Sequence, residues 1–322
     1  MSLRKIGFFI LCGTLGFLSC NDDDDIPEFT TIPVRDRVVQ QNDDDLAIRM
    51  YLESHYYNKS AFVDNTNPKI SDLVITEVTD ADNISPEADS LLINAADPTE
   101  VTFAGTLYTY YVLQLNSGGG SESPNFTDNV RVTYEGSLLD GSVFQSVVNP
   151  VNLDLTGSTP GTGTIEGWRK IFPLFNAAEE VIVNSDGTVT FNNHGAGVMY
   201  IPSGLAYFNN PPSSIDIPIY APLIFEFELL QTFVNDHDGD GVPSFLEKIV
   251  TTGEFADQFL VFEDENELDD DTDSDGTPDY VDTDDDGDGV LTIDEDENND
   301  GDPTNDDTNG NGIPNYLDPE DK

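Results

Sequence analysis

Seventeen residues from Val130 to Ser146, VRVTYEGSLLDGSVFQS, limit what this chain can fold into more than any other stretch. Val130, Val132 and Tyr134 alternate with Arg131, Thr133 and Glu135, the period-two pattern of a strand with one buried face. Asp140-Gly141 then stands between apolar runs, where an Asp-Gly pair favours a tight hairpin turn before Phe144. Four later segments read as strand-like in the same way: LDL (153–155), IEGW (165–168), IPSGLAY (201–207) and APLIFEFELL (221–230).

The 322 residues suffice for two or three domains, and 63 acidic against 12 basic residues give a formal net charge of -51. That balance argues against nucleic-acid binding, since recognition of a phosphate backbone needs Lys and Arg. The acid is uneven: from Asp236 to Lys322 there are 32 acidic and 2 basic residues. Both cysteines, Cys12 and Cys20, lie at the start, so no disulfide framework can hold the later segments.

Residues 1–19 have a basic start at Arg4 and Lys5 and an apolar run from Ile6 to Leu18, shorter than the roughly 20 residues of a membrane span. They read as a secretory signal. Leu18-Ser19-Cys20 resembles the lipobox of bacterial lipoproteins, with Phe17 where those usually carry an aliphatic residue, and implies a lipid on Cys20. An acidic run, Asp22 to Asp25, reads as a solvated tether. Further on, Leu46, Ile48, Met50, Tyr51 and Leu52 follow Asp43-Asp44-Asp45, as in an amphipathic helix with an acidic first turn. LVITEV (73–78), VTFAGTLY (101–108) and TYYVLQL (109–115) read as strands, and Ser117 to Ser121 as a loop. Whether Ile26 to about Thr99 packs on the next domain or forms its own is left open by the residues.

The tyrosine strand, the Asp-Gly turn leading to Phe144, Ile165-Glu166-Gly167-Trp168, Ile201-Pro202 followed by Ala206-Tyr207, and LIFEFELL at 223–230 occur in that order. This set resembles the FKBP-type peptidyl-prolyl cis-trans isomerases. The resemblance implies an α+β fold, an antiparallel sheet wrapped on a short helix, and prolyl isomerase activity. It also implies an aromatic pocket. Tyr134 and Phe144 would line one side, with Trp168, at the start of a helix, as the floor under the proline ring. Ile165 would offer its N–H and Tyr207 its hydroxyl to substrate carbonyls, and Leu153, Ile217 and Phe225 would complete the wall. Gln145 stands where the family has Asp, and Phe208 where it has Gly, a change expected to reshape the pocket rim. The stretch between Trp168 and Ile201 exceeds the family minimum and contains a hairpin signal at Asn184-Ser185-Asp186-Gly187.

Beyond Thr232 the composition changes. DHDGDGVPSFLE (236–247) fits the calcium-loop template D-x-[DN]-x-[DN]-G-x5-E, with Asp236, Asp238, Asp240 and Glu247 as ligands. The pattern repeats with Asp271, Asp273, Asp275 and Asp282, with Asp284, Asp286, Asp288 and Glu295, and with Asp307, Asn309, Asn311 and Asp318. Residues 296–307 form a looser copy. Hard oxygen donors at alternate positions suit Ca2+, and no His or Cys stands at a ligand position as zinc would prefer. The array resembles thrombospondin type 3 repeats. No cofactor is expected for catalysis, and none of the histidines, His55, His194 and His237, is placed for it.

The expected organisation is therefore a lipoprotein signal (1–19), an acidic tether and extension (20–104), an isomerase-like domain (105–232) and an acidic repeat tail (233–322). The whole resembles isomerase lipoproteins of gliding bacteria. The expected setting is a bacterial cell envelope, with exported prolyl-containing polypeptides as partners and a membrane reached through Cys20. A second class of function stays open: a calcium-stiffened surface or adhesion protein whose pocket only binds peptide.

Overall fold

A computed structural model describes residues 33–79, 87, 90–157, 164–247, 268 and 270–321. The signal segment, Cys20 and the acidic tether lie outside these residues. The chain divides into two units, Met1–Val34 and Arg35–Lys322, and nearly all the described structure belongs to the second.

Six strands form one antiparallel sheet: β3 (Asp97–Phe103), β4 (Thr106–Asn116), β5 (Asn129–Leu138), β6 (Val143–Asp154), β9 (Gly195–Ile201) and β10 (Leu223–Phe233). Their order is β3-β4-β9-β10-β5-β6. The hairpin read from Val130–Ser146 is present as β5 and β6, with Gly141 at φ +84° and Asp140 Oδ1 accepting from the Ser142 N–H at 2.9 Å. Two short strands, β1 (His55–Tyr57) and β2 (Ile75–Glu77), pair separately, as do β7 (Glu180–Val183) and β8 (Val189–Asn192) around the expected turn at Gly187.

Central strand β10 shows why the sheet is buried on both faces. Leu223, Phe225, Phe227 and Leu229 enter one core with Trp168, Ile171 and Phe172 of the segment around helix α3 (Glu166–Ile171). Ile224, on the other face, joins a second core with Ile48 and Leu52 of helix α1 (Arg37–Ser54). The extension thus covers the outer face of the sheet with a helix, and the short helix α2 (Leu92–Ala95) buries Leu92 in the same core.

Several expected elements differ. The helix starts at Arg37, not Asp43, because Asp36 caps it by accepting from the Val39 N–H at 3.0 Å. Asp43 to Asp45 are therefore mid-helix. Each carboxylate has a partner there: Arg35 for Asp43, Ser203 for Asp44 and the Tyr111 hydroxyl for Asp45. Leu46 and Met50 face solvent, leaving Ile48 and Leu52, one turn apart, as the packed stripe. VTFAGTLY is two strands: Ala104 and Gly105 have φ of +48° and +69°, the paired positive values of a two-residue hairpin turn. The sheet consequently begins at Asp97 rather than 105. LVITEV shrinks to the three residues of β2. IEGW is not a strand but opens α3, the helix start that the resemblance implies, and IPSGLAY stops being a strand at Pro202, where a single helical turn (Ser203–Leu205) follows.

The tail contains no long helix or strand among the described residues. Its first loop is tied to the sheet: Asn129 Nδ2 donates to Asn235 Oδ1 at 2.6 Å, and His237 Nε2 lies 3.5 Å from Asp154 Oδ1 at the end of β6. Val242 of the first loop packs with Tyr316 and Leu317 of the last in a small apolar cluster.

Candidate functional site

Between the sheet and α3 lies a cavity of about 960 Å³. Its floor is aromatic for a reason rooted in the strands: period-two alternation sends Phe225 and Phe227 to the same face, where α3 sets Trp168 against them. The ring centroids of Trp168 and Phe225 are 4.9 Å apart, and Trp168 stacks on Phe172 at 4.7 Å and 9°. Tyr134 meets Trp168 edge-on at 5.7 Å. Such offset and edge contacts fix ring orientation as well as burying area.

Of the nine residues that the sequence points to, seven line this cavity: Tyr134, Gln145, Leu153, Ile165, Trp168, Tyr207 and Phe225. Phe144 does not. It packs against Phe225 at 5.6 Å, through a notch at Gly136, where an added Cβ would lie 2.5 Å from the Phe144 ring and 2.8 Å from that of Phe225. Ile217 is buried in the core behind the wall, and Ile215 takes the lining position. The irregular segment 208–222 places odd positions by its turns rather than by a period, so the sequence could not choose between them.

Ile165 is the residue just before α3, so its N–H lies ahead of the intrahelical ladder. Burial pushes the phenols of Tyr134 and Tyr207 up from their ordinary values, so both stay protonated and able to donate at neutral pH. At the cavity edge Glu166 is ion-paired with Arg169 and lies 3.5 Å from Lys170. Both Glu166 and Arg169 line the cavity, as do Phe103, Val147, Val151 and Ile215. These six are not among the residues expected from the sequence. The i,i+3 Glu-Arg spacing and the alternation of Gln145, Val147, Val151 and Leu153 along β6 were signals that could have found most of them. Phe103 could not be found that way, since β3 lies outside the expected boundary of the domain.

Phe208 does not shape the rim. At φ +49° it stands edge-on to Tyr220 at 5.0 Å, and the Arg37 guanidinium of α1 sits 4.3 Å above its ring. The ring docks the helix, which offsets a backbone conformation that favours Gly. The same helix steadies the segment leading to Tyr207: the N–H and Oγ–H of Ser203 both donate to buried Asp44 Oδ2, at 2.8 and 2.6 Å.

In the tail, five loops starting at Asp236, Asp271, Asp284, Asp296 and Asp307 share one geometry. The first Asp accepts from the N–H of the sixth residue, Gly241, Gly276, Gly289, Gly301 and Gly312, at 2.7–3.4 Å. Each of those glycines has φ between +89° and +101°, which favours Gly. The looser copy at 296–307 folds like the rest. Among the described residues, carboxylates converge in three places: Asp238, Asp240, Glu247 and Asp285; Asp271, Asp273 and Asp275; Asp284, Asp286 and Asp288. Asp236 instead stitches its loop through two backbone N–H groups, Asp282 accepts from the Asp284 N–H, and Asp318 accepts from the Asn309 and Asn311 side chains. Glu295 stands close enough to Asp286 that burial and that charge push it up to about 8. Burial holds Glu247 at about 10 and Asp285 at about 9. Buried oxygens of Asp240, Glu247 and Asp285 have no hydrogen-bond partner. An all-oxygen set of this kind fits a hard cation such as Ca2+.

One face of the antiparallel sheet packs on α3 with an aromatic-floored cavity between them, lined also by the Tyr207 phenol, an arrangement able to hold an apolar ring. Residues 120–230 match the family model of FKBP-type peptidyl-prolyl cis-trans isomerases, and the chain carries a domain of that type. Residues 237–302 match a model described as BamM C-terminal. The FKBP-type 22 kDa peptidyl-prolyl cis-trans isomerase of Escherichia coli K12 is 30% identical over 120 residues, 36% of this chain and 47% of that one. The chain thus spans about half the length of this curated relative. Among solved structures, FkpA from Escherichia coli is 26% identical with a TM-score of 0.29, covering 38% of this chain and 47% of its own. A peptidyl-prolyl cis-trans isomerase from Pseudomonas syringae is 24% identical with a TM-score of 0.30, covering 42% and 82%.

Proposed function

We propose that the chain catalyses cis-trans isomerisation of Xaa-Pro bonds in exported polypeptides, held at a bacterial cell envelope by a lipid on Cys20. The observation that carries this reading is the Trp168 floor under a cavity walled by Tyr134, Phe225 and Leu153. The barrier to rotation is about 18–20 kcal/mol because the planar amide has charge-separated resonance. A dry aromatic cavity destabilises that form more than the twisted amide, so rotation speeds up with no bond made or broken elsewhere. The Ile165 N–H and the Tyr207 hydroxyl would hold the flanking carbonyls in place. The acidic tail, resembling thrombospondin type 3 repeats, would bind structural Ca2+ through its loop carboxylates.

A test is the refolding of a protein whose slow phase is limited by Xaa-Pro isomerisation, a process of roughly 10–100 s when uncatalysed. The chain should shorten that phase at substoichiometric amounts, and Trp168→Ala should not. One observation favours a second reading, peptide binding without turnover: Gln145 lines the cavity with an uncharged amide. A chain that binds the refolding protein but leaves its slow phase unchanged would support that reading.

A further inference from the structure

The loop template gives each repeat its own ligands, yet the first loop is completed from elsewhere. Its cluster is Asp238, Asp240, Glu247 and Asp285, one oxygen from each lying within 4.8 Å of all the others. Asp285 is position two of the third loop, to which the template assigns no ligand. Position two normally faces position nine of its own loop: His237 meets Ser244, Thr272 meets Asp279, and Thr308 meets Asn315. In the third loop only the backbone keeps this habit, the Asp285 N–H lying 3.5 Å from Thr292 Oγ1. The carboxylate leaves the loop: Asp285 is 1% exposed and neither oxygen has a hydrogen-bond partner.

We infer that the first and third loops share one Ca2+ ion, with Asp285 as the ligand that joins them to Asp238, Asp240 and Glu247. This rests on the calcium reading of the tail proposed above. Asp240, Glu247 and Asp285 are 2% exposed or less, both oxygens of Glu247 are also unpartnered, and no Lys or Arg pairs with these groups among the described residues. Carboxylates so buried do not stay ionised unaided: they are neutralised by protons or by a cation among them, and four oxygens within 4.8 Å of one another suit a cation. The spacing suits the ion as well. Ca–O distances of about 2.3–2.6 Å place ligands on opposite sides of Ca2+ about 4.6–5.2 Å apart. The ion would fasten the later repeats to the loop that is itself tied to the end of β6.

The test is Ca2+-dependent hydrogen exchange on the full chain after chelator treatment, read separately at Gly241–Val242 of the first loop and Gly289–Val290 of the third. Asp285→Asn should move the Ca2+ midpoint for protecting the first loop by about tenfold or more, since affinity follows the count of charged ligands. Glu247→Gln should do the same, and the double variant should bind more weakly than either, the two effects departing from simple addition as for groups acting on one ion. Asp284→Asn should weaken the third loop alone. If Asp285→Asn weakened only the third loop, the shared ion would be wrong while the calcium reading stood. If Ca2+ protected neither loop in the unaltered chain, both would fall. Should Asp285→Asn loosen the entire tail, Asp285→Glu must restore protection at the first loop, and its failure to do so would overturn the assignment.

Discussion

At the scale of single residues, the cavity depends on one close approach. Gly136 lets the rings of Phe144 and Phe225 meet over strand β5, with no room for a methyl group. Gly136→Ala should cost about 1–3 kcal/mol by overpacking and displace Phe225 from beneath the cavity wall. Urea unfolding alongside peptide affinity checks this, and a variant unchanged in both would show that the notch is not needed. The aromatic residues were legible because period-two spacing puts Tyr134 on the face of Val130 and Val132 and puts Phe225 on the face of Phe227; that these are one face of the sheet rests on the pairing of Tyr134 with Phe227. The sequence could not make Phe144 or Ile217 legible. Phe144 acts through Gly136, a residue with no side chain to read, and Ile217 lies in a segment without a period. Asp285 was equally hidden, since its partners are set by how two loops meet, not by spacing within either.

At the scale of elements, β10 carries two functions on its two faces. The Phe225 and Phe227 side forms the floor. The other side places Glu226 opposite Glu135, and burial followed by the Glu135 charge pushes the Glu226 carboxyl up to about 7 from 4.5. The folded chain therefore holds a proton that the unfolded chain has released between about pH 4.5 and 7, and stability falls as pH rises through that window. Glu226→Gln should raise the melting temperature at pH 8 and leave it unchanged at pH 4. Thermal melts at the two pH values check this, and a rise at pH 4 equal to that at pH 8 would contradict it. Helix α1 was legible as a helix but not in its extent, because the acidic run that resembles a first turn serves tertiary contacts instead. Asp44 reaches Ser203 and Asp45 reaches Tyr111, and neither distance is visible in the chain order.

For the whole molecule, the sheet domain and the repeat tail are stabilised differently. Two apolar cores hold the sheet, whereas the tail has a small cluster around Val242, Tyr316 and Leu317 and many mutually repelling carboxylates. Free Ca2+ at a hundred times its Kd should stabilise the tail by about 2.7 kcal/mol at each such site, and chelation should remove that gain while leaving the sheet folded. Circular dichroism and melting with and without chelator follow it, and a tail insensitive to Ca2+ would contradict the calcium reading. The division into β-sheet domain and acidic loops was legible because composition changes sharply near Thr232. The docking of the first loop on β6 was not, since it rests on Asn235 and His237, polar residues with no pattern of their own.

The most direct measurement is the rate of cis-trans exchange in a short Xaa-Pro peptide, observed by magnetisation-transfer NMR with the unaltered chain and with Trp168→Ala. The aromatic cavity predicts accelerated exchange with the former and the uncatalysed rate with the latter, provided Trp168→Ala still shows a folded β-sheet spectrum. Peptide binding by the unaltered chain with no change in exchange rate, or equal acceleration by both proteins, would contradict it.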